Sequence, residues 1–287
     1  MSVLVTGASG NVGGYVVEEL LKTGERVTAA GTDAGRLERK FNGRVTCVEL
    51  DFTKQSTFAA ALAGVDRVFL MRPPHLGRPE DLYPFIDAMK DHGITLVSFL
   101  SLMGIEKNSV PPHYKIEKYI ESSGIPYAHI RPGFFMQNLS GIHAEEIRRQ
   151  NQIFIPAGKS KASFIDAADI GLAAATVLKD PGRFANTAYT ITGSESLDYN
   201  QVAEILSEVT GRKITYVRPG FLRYRRYYIK HRGLDKAYVN VTVALYFMTR
   251  MGTAQRVSHE FRELTGREPR TFREFAEDNL GCFSDEQ

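Results

Sequence analysis

The sequence predicts an α/β fold in which a doubly wound parallel sheet carries a smaller C-terminal α+β lobe. Three observations lead to this prediction. Short apolar runs alternate with amphipathic helical patterns in the first half of the chain, and a glycine-rich turn follows the first run. After residue 133 this alternation ends, and helical patterns joined by short strands replace it.

The strands of the first half are runs rich in Val, Ile and Phe. Such runs, with helices between them, are typical of a parallel sheet covered on both faces. Ligands of this fold bind beyond the carboxyl ends of the strands. The predicted strands are 3–6, 27–30, 45–48, 67–71, 96–100 and 127–130, with helices near 12–22, 54–62, 80–91 and 113–122.

The second half is interpreted as a substrate lobe. We therefore expect one domain over 1–133 and a second over 134–287, the latter with segments that return to the first domain. Helices are expected near 134–149, 167–179, 199–210, 219–232, 235–250 and 271–280, joined by short strands at 189–192 and 214–217.

Composition excludes several classes of protein. A chain of 287 residues, 43% of them hydrophobic, buries a sizeable core without a disulfide or metal. Its two cysteines, Cys47 and Cys282, are too few for a disulfide scaffold or a Cys-rich zinc site and suit a reducing cytosol. We expect a cytoplasmic protein with no metal. A membrane partner is not expected, since no apolar run reaches about 18 residues. A signal peptide is not expected either, since the apparent first strand leaves no room for one.

The glycine-rich turn between the first strand and first helix predicts dinucleotide binding. Gly7 permits a tight turn, Gly10 lets backbone N–H groups approach a pyrophosphate, and Gly13 lets the helix pack closely on the sheet. The positive end of the helix then faces the phosphates. The residues assigned to this part of the cofactor site are Gly7, Ser9, Gly10, Asn11, Val12 and Gly13.

The end of the second strand favours NADP(H) over NAD(H). An acid there would bind the ribose 2′-hydroxyl, whereas a basic residue just beyond it would accept a 2′-phosphate. Gly31 occupies the strand end, Thr32 follows it, and Arg36 begins the next helix within reach. Asp33 is the nearest acid, and it has the alternative of capping that helix.

The ends of the third and fourth strands supply further cofactor residues. Asp51 and Phe52 are placed for the adenine edge and face, although Asp51 or Thr53 equally suits a helix cap. In the loop after the fourth strand, Arg72 suits a phosphate or a substrate carboxylate, with an ordinary surface arginine as the alternative. Met71, Arg72, Pro73 and, at the end of the sixth strand, Pro132 are assigned to the cofactor, and His75 to the substrate.

Four segments resemble the NmrA-like family of atypical short-chain dehydrogenase/reductases. They are Thr-Gly-Ala-Ser-Gly-Asn-Val-Gly at 6–13, Leu-Ser-Leu-Met-Gly at 100–104, Ser-Gly-Ile-Pro-Tyr-Ala-His-Ile-Arg-Pro-Gly-Phe-Phe-Met-Gln-Asn-Leu at 123–139 and Phe-Ile-Asp-Ala-Ala-Asp-Ile at 164–170. The resemblance implies a Rossmann domain, a small C-terminal lobe and NAD(P)(H) in the cleft between them. Members include quinone and azo reductases, isoflavone-type reductases and NmrA, a cofactor-sensing regulator, so the resemblance leaves catalysis open.

The catalytic group has more than one candidate. Short-chain dehydrogenases use Tyr-x-x-x-Lys with an upstream Ser, and Ser101, Tyr114 and Lys118 match that spacing. Counted back from Gly124, however, the family's lysine position is His113, and five residues along a helix turn a side chain about 140° from the expected face. The candidates are therefore His113, as a ribose ligand, a proton donor or an idle residue, together with Ser101 and Tyr114.

Two aromatic segments are candidates for the substrate site. Phe134, Phe135 and Met136 follow the sixth strand and suit either a stacking wall for a flat acceptor or plain core. The segment 211–234 has eight basic residues and no acid, so the rest of the chain carries 28 basic against 33 acidic side chains. Its Tyr224 suits an aromatic lid over the substrate, but the simpler interpretation is a solvated basic helix with its tyrosines packed on the lobe. Binding of nucleic acid is disfavoured, because no nucleic-acid-binding motif accompanies the segment.

Two functions are consistent with these residues. One is an NAD(P)H-dependent oxidoreductase that transfers hydride to a small planar conjugated acceptor, of the quinone, azo or imine type. The other is a catalytically silent, NAD(P)-sensing regulator that binds a protein partner. A sugar-nucleotide epimerase or dehydratase is disfavoured, because no Tyr-x-x-x-Lys lies in register.

Overall fold

The computed structural model describes residues 1–284, which form two compact units. Unit 1 comprises Met1–Pro132, Ala167–Ile191 and Glu260–Arg267. Unit 2 comprises Gly133–Asp166, Thr192–His259 and the described chain from Glu268 onward. The chain therefore passes between the units several times.

The strands and helices of the two units are numbered along the chain. The strands are β1 (Ser2–Thr6), β2 (Val27–Gly31), β3 (Thr46–Glu49), β4 (Val65–Met71), β5 (Leu96–Leu100), β6 (Tyr127–Pro132), β7 (Phe134–Phe135), β8 (Gln152–Phe154), β9 (Lys161–Ala162), β10 (Phe164–Ile165), β11 (Thr187–Ile191), β12 (Leu197–Asp198) and β13 (Thr215–Val217). The helices are α1 (Asn11–Lys22), α2 (Ala34–Phe41), α3 (Phe58–Leu62), α4 (Tyr83–Asp91), α5 (Pro112–Ser123), α6 (Gln137–Ser140), α7 (Ala144–Gln150), α8 (Ala167–Lys179), α9 (Pro181–Phe184), α10 (Tyr199–Thr210), α11 (Phe221–Lys230), α12 (Lys236–Arg250), α13 (Glu260–Thr265), α14 (Phe272–Asp278) and α15 (Leu280–Phe283).

Unit 1 is built on a parallel sheet with the strand order β11-β6-β5-β4-β1-β2-β3. Every neighbouring pair in this sheet is parallel. The order reverses between β1 and β4, and ligands of open α/β sheets bind beyond the carboxyl ends of the strands at such a point. The predicted doubly wound α/β fold is confirmed.

Helices cover this sheet because their apolar faces match its continuous apolar strands. Side chains of α3, α4 and α5, such as Phe58, Phe85 and Ile116, form one buried cluster with Phe99 of β5. The helix α1 packs closely on α8, where Gly171 lies directly against Tyr15. The prediction expected segments after residue 133 that return to the first domain, and in the structure α8 and β11 belong to unit 1.

Unit 2 is held together by an aromatic core rather than by a large sheet. Its strands form two-stranded pairs, β10 with β7, β12 with β9 and β13 with β8. The prediction of one helix over 134–149 is wrong at both its start and its middle. Phe134 and Phe135 instead pair in parallel with Phe164 and Ile165, and the helical part divides at Gly141 into α6 and α7.

A buried polar network links the helices of unit 2. The imidazole of His143 is fully buried, with Nδ1 2.7 Å from the Tyr228 hydroxyl and Nε2 2.5 Å from the Tyr246 hydroxyl. The Tyr228 hydroxyl also donates to Glu146, 3.0 Å away, and Arg232 pairs with the same carboxylate. The network joins α7, α11 and α12. Both ring nitrogens of His143 have a hydrogen-bond partner, as buried polar atoms normally do.

Candidate functional site

The turn between β1 and α1 brings a helix start close to the sheet. Gly7 has φ +63°, a conformation that favours glycine, and its α-carbon faces the Met71 side chain. A β-carbon at residue 13 would lie 2.4 Å from the Gly7 carbonyl oxygen. Only glycine at position 13 therefore allows the observed approach of α1 to the turn.

The first turn of α1 is arranged to receive an anion. The N-cap residue is Gly10, and within the described chain no side chain caps the helix and no acid lies in its first turn. The amides of Asn11 and Val12 therefore begin a twelve-residue helix whose dipole and free N–H groups favour a phosphate. Ser9 is half-buried and Asn11 exposed beside them, whereas the Val12 side chain packs inward.

The helix after β2 brings Lys40 to the same turn and carries Arg36 near Lys40. Asp33 is its N-cap, because its carboxylate accepts from the Arg36 amide at 2.9 Å, which decides the alternative left by the sequence. Thr32 and Arg36 are exposed at the strand end. Lys40, one helical turn beyond Arg36, donates to the carbonyl oxygens of residues 8, 9 and 10 at 3.1, 3.3 and 3.4 Å.

Lys40 was not among the residues predicted from the sequence. The spacing of four residues from Arg36 was the available signal, since such residues share a helix face. Partial burial, and then the charge of Arg36, lower the pKa of Lys40. The two side chains make the edge of the glycine-rich turn basic, as a 2′-phosphate requires.

The end of β3 is locally paired. Asp51 accepts from the Thr53 amide at 2.9 Å and the Thr53 hydroxyl at 2.7 Å, and these bonds lower the pKa of the Asp51 carboxyl. Phe52 is buried in the core of unit 1, edge-on to Phe85 at 5.2 Å. The adenine contacts of Asp51 and Phe52 remain predictions, and Phe52 would have to leave this packing to stack on a base.

The loop after β4 folds back on its own arginine. The Arg72 guanidinium donates to the carbonyl oxygens of Pro73 and Leu76. Arg72 is therefore partly buried. The alternative prediction, an ordinary surface arginine, does not describe it. Pro73 is partly buried beside it, whereas His75 at the tip of the loop is exposed.

The end of β5 and the start of α5 place two further candidates beside Arg72. Met71 of β4 pairs with Leu100 of β5, so Arg72 and Ser101 follow neighbouring strands side by side. The Ser101 amide donates to the Ile130 carbonyl oxygen at 2.8 Å, and its side chain is buried. In the loop that follows, the Met103 amide donates to the carbonyl oxygen of Pro132 at 3.0 Å.

His113 lies in the first turn of α5, 6.0 Å from the Phe99 ring between centroids. Burial, and then the charge of Arg72, lower the pKa of His113 to about 3. The imidazole is therefore neutral at physiological pH. In this form it can accept and donate hydrogen bonds, but it does not carry the second proton of an imidazolium ion. Of the three alternatives predicted for it, ribose ligand, proton donor and idle residue, this pKa argues against the proton donor.

Three polar atoms at this strand edge have no hydrogen-bond partner in the part of the chain that is described. They are Nε of Arg72, Oγ of Ser101 and Nδ1 of His113, and all three are buried. Buried polar atoms are normally paired, so these three, which lie together at the carboxyl ends of the strands, are available to a polar ligand. A nicotinamide ribose and its amide offer the hydroxyl, carbonyl and N–H groups that would pair these atoms.

The apparent Tyr-x-x-x-Lys pair lies on another part of α5. Lys118 is exposed and pairs with Glu121 at 2.6 Å, while its ammonium lies 5.9 Å from the centroid of the Tyr114 ring. Because its charge is taken up by Glu121, Lys118 is poorly placed to activate a phenol. Tyr114 is half-buried beside it, and its catalytic role remains a prediction.

The buried side of α5 carries an ion pair. The carboxylate of Glu117 binds Arg131 of β6 through two hydrogen bonds, of 3.0 and 2.7 Å. Glu117, Glu121 and His129 also place possible metal-ligand atoms within 4.8 Å of one another. Since Arg131 and Lys118 already bind the two carboxylates, we assign no metal to this cluster.

The candidate substrate residues of unit 2 are mostly core residues. Phe134 and Met136 are buried, and the Phe134 ring lies 5.7 Å from that of Tyr246. Tyr224 is fully buried, and its hydroxyl donates to Thr242 at 3.3 Å. Phe135 alone of the four is partly exposed. Contact of Phe134, Met136 or Tyr224 with a substrate would require unit 2 to open locally.

Several arginines of the basic segment hold unit 2 together. Arg212 donates to the carbonyl oxygens of Arg148 and Phe283, and Arg232 pairs with Glu145 and Glu146. The predicted helix is present as α11, with its tyrosines packed inward, as in the simpler interpretation of this segment. The exposed cations of this helix are Arg223, Arg226 and Lys230.

Comparison with known proteins gives the family of this chain. The family model described as "NmrA-like family" matches residues 1–276. Prestalk A differentiation protein A of Dictyostelium discoideum is 30% identical, over 98% of this chain and 93% of its own length. An NAD(P)H azoreductase of Xenophilus azovorans is 31% identical, over 98% and 99%.

A solved structure shows the same fold. The Citrobacter sp. triphenylmethane reductase, crystallised with NADP(H), superposes with a TM-score of 0.87. The alignment covers 98% of this chain and all of that one, at 22% identity. At this identity the likeness supports the architecture described above.

Proposed function

The chain belongs to the NmrA-like family, and from that premise we propose that it is an NADP(H)-dependent oxidoreductase. Its acceptor is a small planar conjugated molecule. The observation that carries the proposal is the group of three unpaired buried polar atoms, on Arg72, Ser101 and His113, at the strand edge beside the glycine-rich turn. The names of the relatives, an NAD(P)H azoreductase and a triphenylmethane reductase with NADP(H), support the same activity.

Unit 1 offers groups for the pyrophosphate, the 2′-phosphate and the nicotinamide ribose of NADPH. The free amides at the start of α1 would bind the pyrophosphate, and Arg36 with Lys40 the 2′-phosphate. Ser101 and His113 would bind the nicotinamide ribose. When bound, NADPH supplies a hydride, which carries two electrons to the acceptor. The residues of this chain hold the donor in place and exclude water from the buried edge of the sheet.

The protonation state of the site limits the acceptor. A neutral His113 and the surface pairing of Lys118 leave no strong acid to protonate an oxygen as hydride arrives. An electron-poor conjugated acceptor needs none. A neutral acceptor becomes a delocalised anion that takes its proton from water, and a cationic acceptor becomes a neutral product when it accepts the hydride. Quinones, azo dyes, cationic triarylmethane dyes and iminium ions meet this condition, whereas simple ketones do not.

The test is hydride transfer by the purified protein. NADPH oxidation should be followed with a quinone, an azo dye, a triphenylmethane dye, an imine and a simple ketone. We expect turnover of at least one conjugated acceptor, none of the ketone, and a fall of about tenfold in kcat/KM for Ser101→Ala, equivalent to one lost hydrogen bond. Ser122→Ala, an exposed change on α5, is the matched control.

The alternative function has a distinct outcome. A regulator would bind NADP⁺ and NADPH with equal affinity and reduce none of these acceptors. That result, from a protein that calorimetry shows to bind the cofactor, would overturn the proposed oxidoreductase.

A further inference from the structure

The outer face of α12 is apolar and exposed. Tyr238, Val241, Leu245 and Met248 recur at intervals of three and four residues and so lie along one side of the helix. Phe247 lies beside this row, and Met251 is exposed just past the end of the helix. Val241 is 67% exposed and Phe247 53% exposed. We call these six side chains the apolar face.

The apolar face is unusual because a surface helix normally turns polar residues outward. Here Val239, Thr242, Tyr246 and Thr249 face the protein, and none of the thirteen residues 237–249 is charged. Contiguous exposed apolar patches on soluble domains mark binding surfaces. We therefore expect another molecule to cover the apolar face.

The surroundings of the apolar face are strongly basic. The hairpin of α11 and α12, residues 221–250, has seven Lys and Arg side chains against a single acid, Asp235, and six of the seven remain when Arg232, which pairs with Glu145 and Glu146, is set aside. Arg225 donates to Asn240 of α12 at 2.8 Å, and Arg250 lies over the Phe221 ring, which is itself 5.9 Å from Phe247. These contacts hold cations at the margin of the apolar face.

Charge decides among the possible occupants. A second copy of this chain, packed through the same face, would bring two strongly basic hairpins together, which is electrostatically unfavourable. An anionic surface would instead complement them. An apolar helix face bordered by Lys and Arg is the pattern by which proteins bind at the lipid headgroup boundary.

We propose that the α11–α12 hairpin docks this protein on an anionic phospholipid surface, with the apolar face among the acyl chains and the flanking cations on lipid phosphates. The helix lies in the plane of the interface. No helix within residues 1–284 has the length and apolarity to cross a bilayer. Docking on a membrane surface differs from crossing the bilayer, and it does not require an apolar run of about 18 residues. This proposal does not depend on the proposed oxidoreductase activity.

Vesicle sedimentation tests the apolar contribution. The full chain is mixed with vesicles of phosphatidylcholine alone or of phosphatidylcholine with phosphatidylglycerol. We expect binding to the mixed vesicles that is at least tenfold tighter than to the neutral ones, and at least a tenfold loss in the double variant Val241→Ser/Leu245→Ser. Val110→Ser, at a residue of unit 1 that is 88% exposed, is the matched control and should bind normally.

A second pair of variants tests the charges. Arg225→Gln/Arg250→Gln, at the two cations that border the apolar face, should weaken binding to the mixed vesicles by roughly tenfold or more, since each cation near an anionic membrane contributes about a fivefold change in affinity. Lys90→Gln, an exposed change on α4, should leave binding unchanged. Added salt should weaken the binding of the unaltered chain.

Light scattering separates the other occupants. A monomer in solution that binds mixed vesicles through the apolar face supports the proposal. A dimer that Val241→Ser/Leu245→Ser converts to a monomer, with no vesicle binding by the unaltered chain, would assign the face to a second copy and overturn it. A monomer that binds neither kind of vesicle would overturn it as well.

Discussion

Gly13 and Gly7 lie so close that a β-carbon at residue 13 would be 2.4 Å from the carbonyl oxygen of Gly7. The contact joins the start of α1 to the turn after β1. It sets the position of the amides that are proposed to bind the pyrophosphate. The same two residues thus determine both the packing of unit 1 and the shape of its proposed phosphate site.

Gly13→Ala should destabilise the protein and weaken cofactor binding together. The new methyl group forces the helix away from the turn, and overpacking of this kind costs about 1–3 kcal/mol of unfolding free energy. Urea denaturation measures the cost, and calorimetry with NADPH measures the affinity. Gly77→Ala, where a β-carbon meets no atom within 4 Å, should be neutral in both assays. Equal stability of the two variants would contradict the close approach.

Glu117→Gln should be strongly destabilising. The substitution keeps the side-chain volume but leaves the charge of Arg131 without its buried partner, which costs about 3 kcal/mol or more. The double variant Glu117→Met/Arg131→Met should recover most of the loss, because it removes both charges. In contrast, Glu19→Gln breaks only a surface pair with Lys22 and should cost less than about 1 kcal/mol in the same urea titration.

His129→Leu should make stability less dependent on pH. The His129 ring is fully buried, neither nitrogen makes a hydrogen bond within the described residues, and Nε2 lies 3.6 Å from Oε1 of Glu121. Burial, and then the charge of Arg131, lower its pKa to about 3, whereas Glu121 nearby raises it and Lys118 lowers it. The unfolded chain, with a histidine pKa near 6.5, binds a proton that the folded ring does not. Stability contributed by the neutral ring is therefore complete above about pH 6.5 and is lost as the pH falls towards 3.

Unfolding free energies between pH 7.5 and pH 5 test this prediction. Because each pKa unit is worth about 1.4 kcal/mol, we expect the unaltered chain to lose about 2 kcal/mol more than His129→Leu over that range. At pH 7.5 the variant should be as stable as the unaltered chain or slightly more so, since it removes unpaired polar atoms. His92→Gln, on the exposed end of α4, controls for the loss of one histidine. Parallel pH profiles of the variant and the unaltered chain would refute the assignment.

Arg36→Ser should change the choice of cofactor. Loss of one charge-assisted bond to the 2′-phosphate should weaken NADPH binding about tenfold and leave NADH binding unchanged. Lys90→Gln removes an equal charge from the exposed surface of α4 and should affect neither cofactor. Calorimetry with both cofactors gives the comparison. A similar loss of NADPH affinity in both variants would indicate a diffuse charge effect and not a contact by Arg36.

The local elements were predictable because local interactions specify them. The strands of unit 1 are apolar runs, and the turn at Gly7 requires a residue that adopts positive φ, so both leave a pattern in neighbouring residues. The strand formed by Phe134 and Phe135 was not predicted, for the opposite reason. Their strand exists through pairing with Phe164 and Ile165, thirty residues further along the chain. A short apolar segment of this kind has no local signal that separates strand from helix.

The candidate site divides in the same way. The glycine-rich turn and Arg36 could be proposed as cofactor residues from spacing alone, since they belong to one strand–turn–helix and the helix after it. The contact of Lys40 with the turn, the return of Arg72 to its own loop and the low pKa of His113 could not. Each depends on which side chains the sheet brings together, and on how deeply they are buried.

The sequence by itself determined the family, the doubly wound sheet and the basic character of 211–234, because composition, short-range periodicity and motif spacing record them. Only the tertiary structure decided that His113 is neutral, that Tyr224 belongs to a packed core, and that the apolar face of α12 points outward. Burial and charge pairing are properties of residues distant in sequence and adjacent in space. A helix that is apolar on both sides looks the same in sequence whichever side the fold leaves exposed.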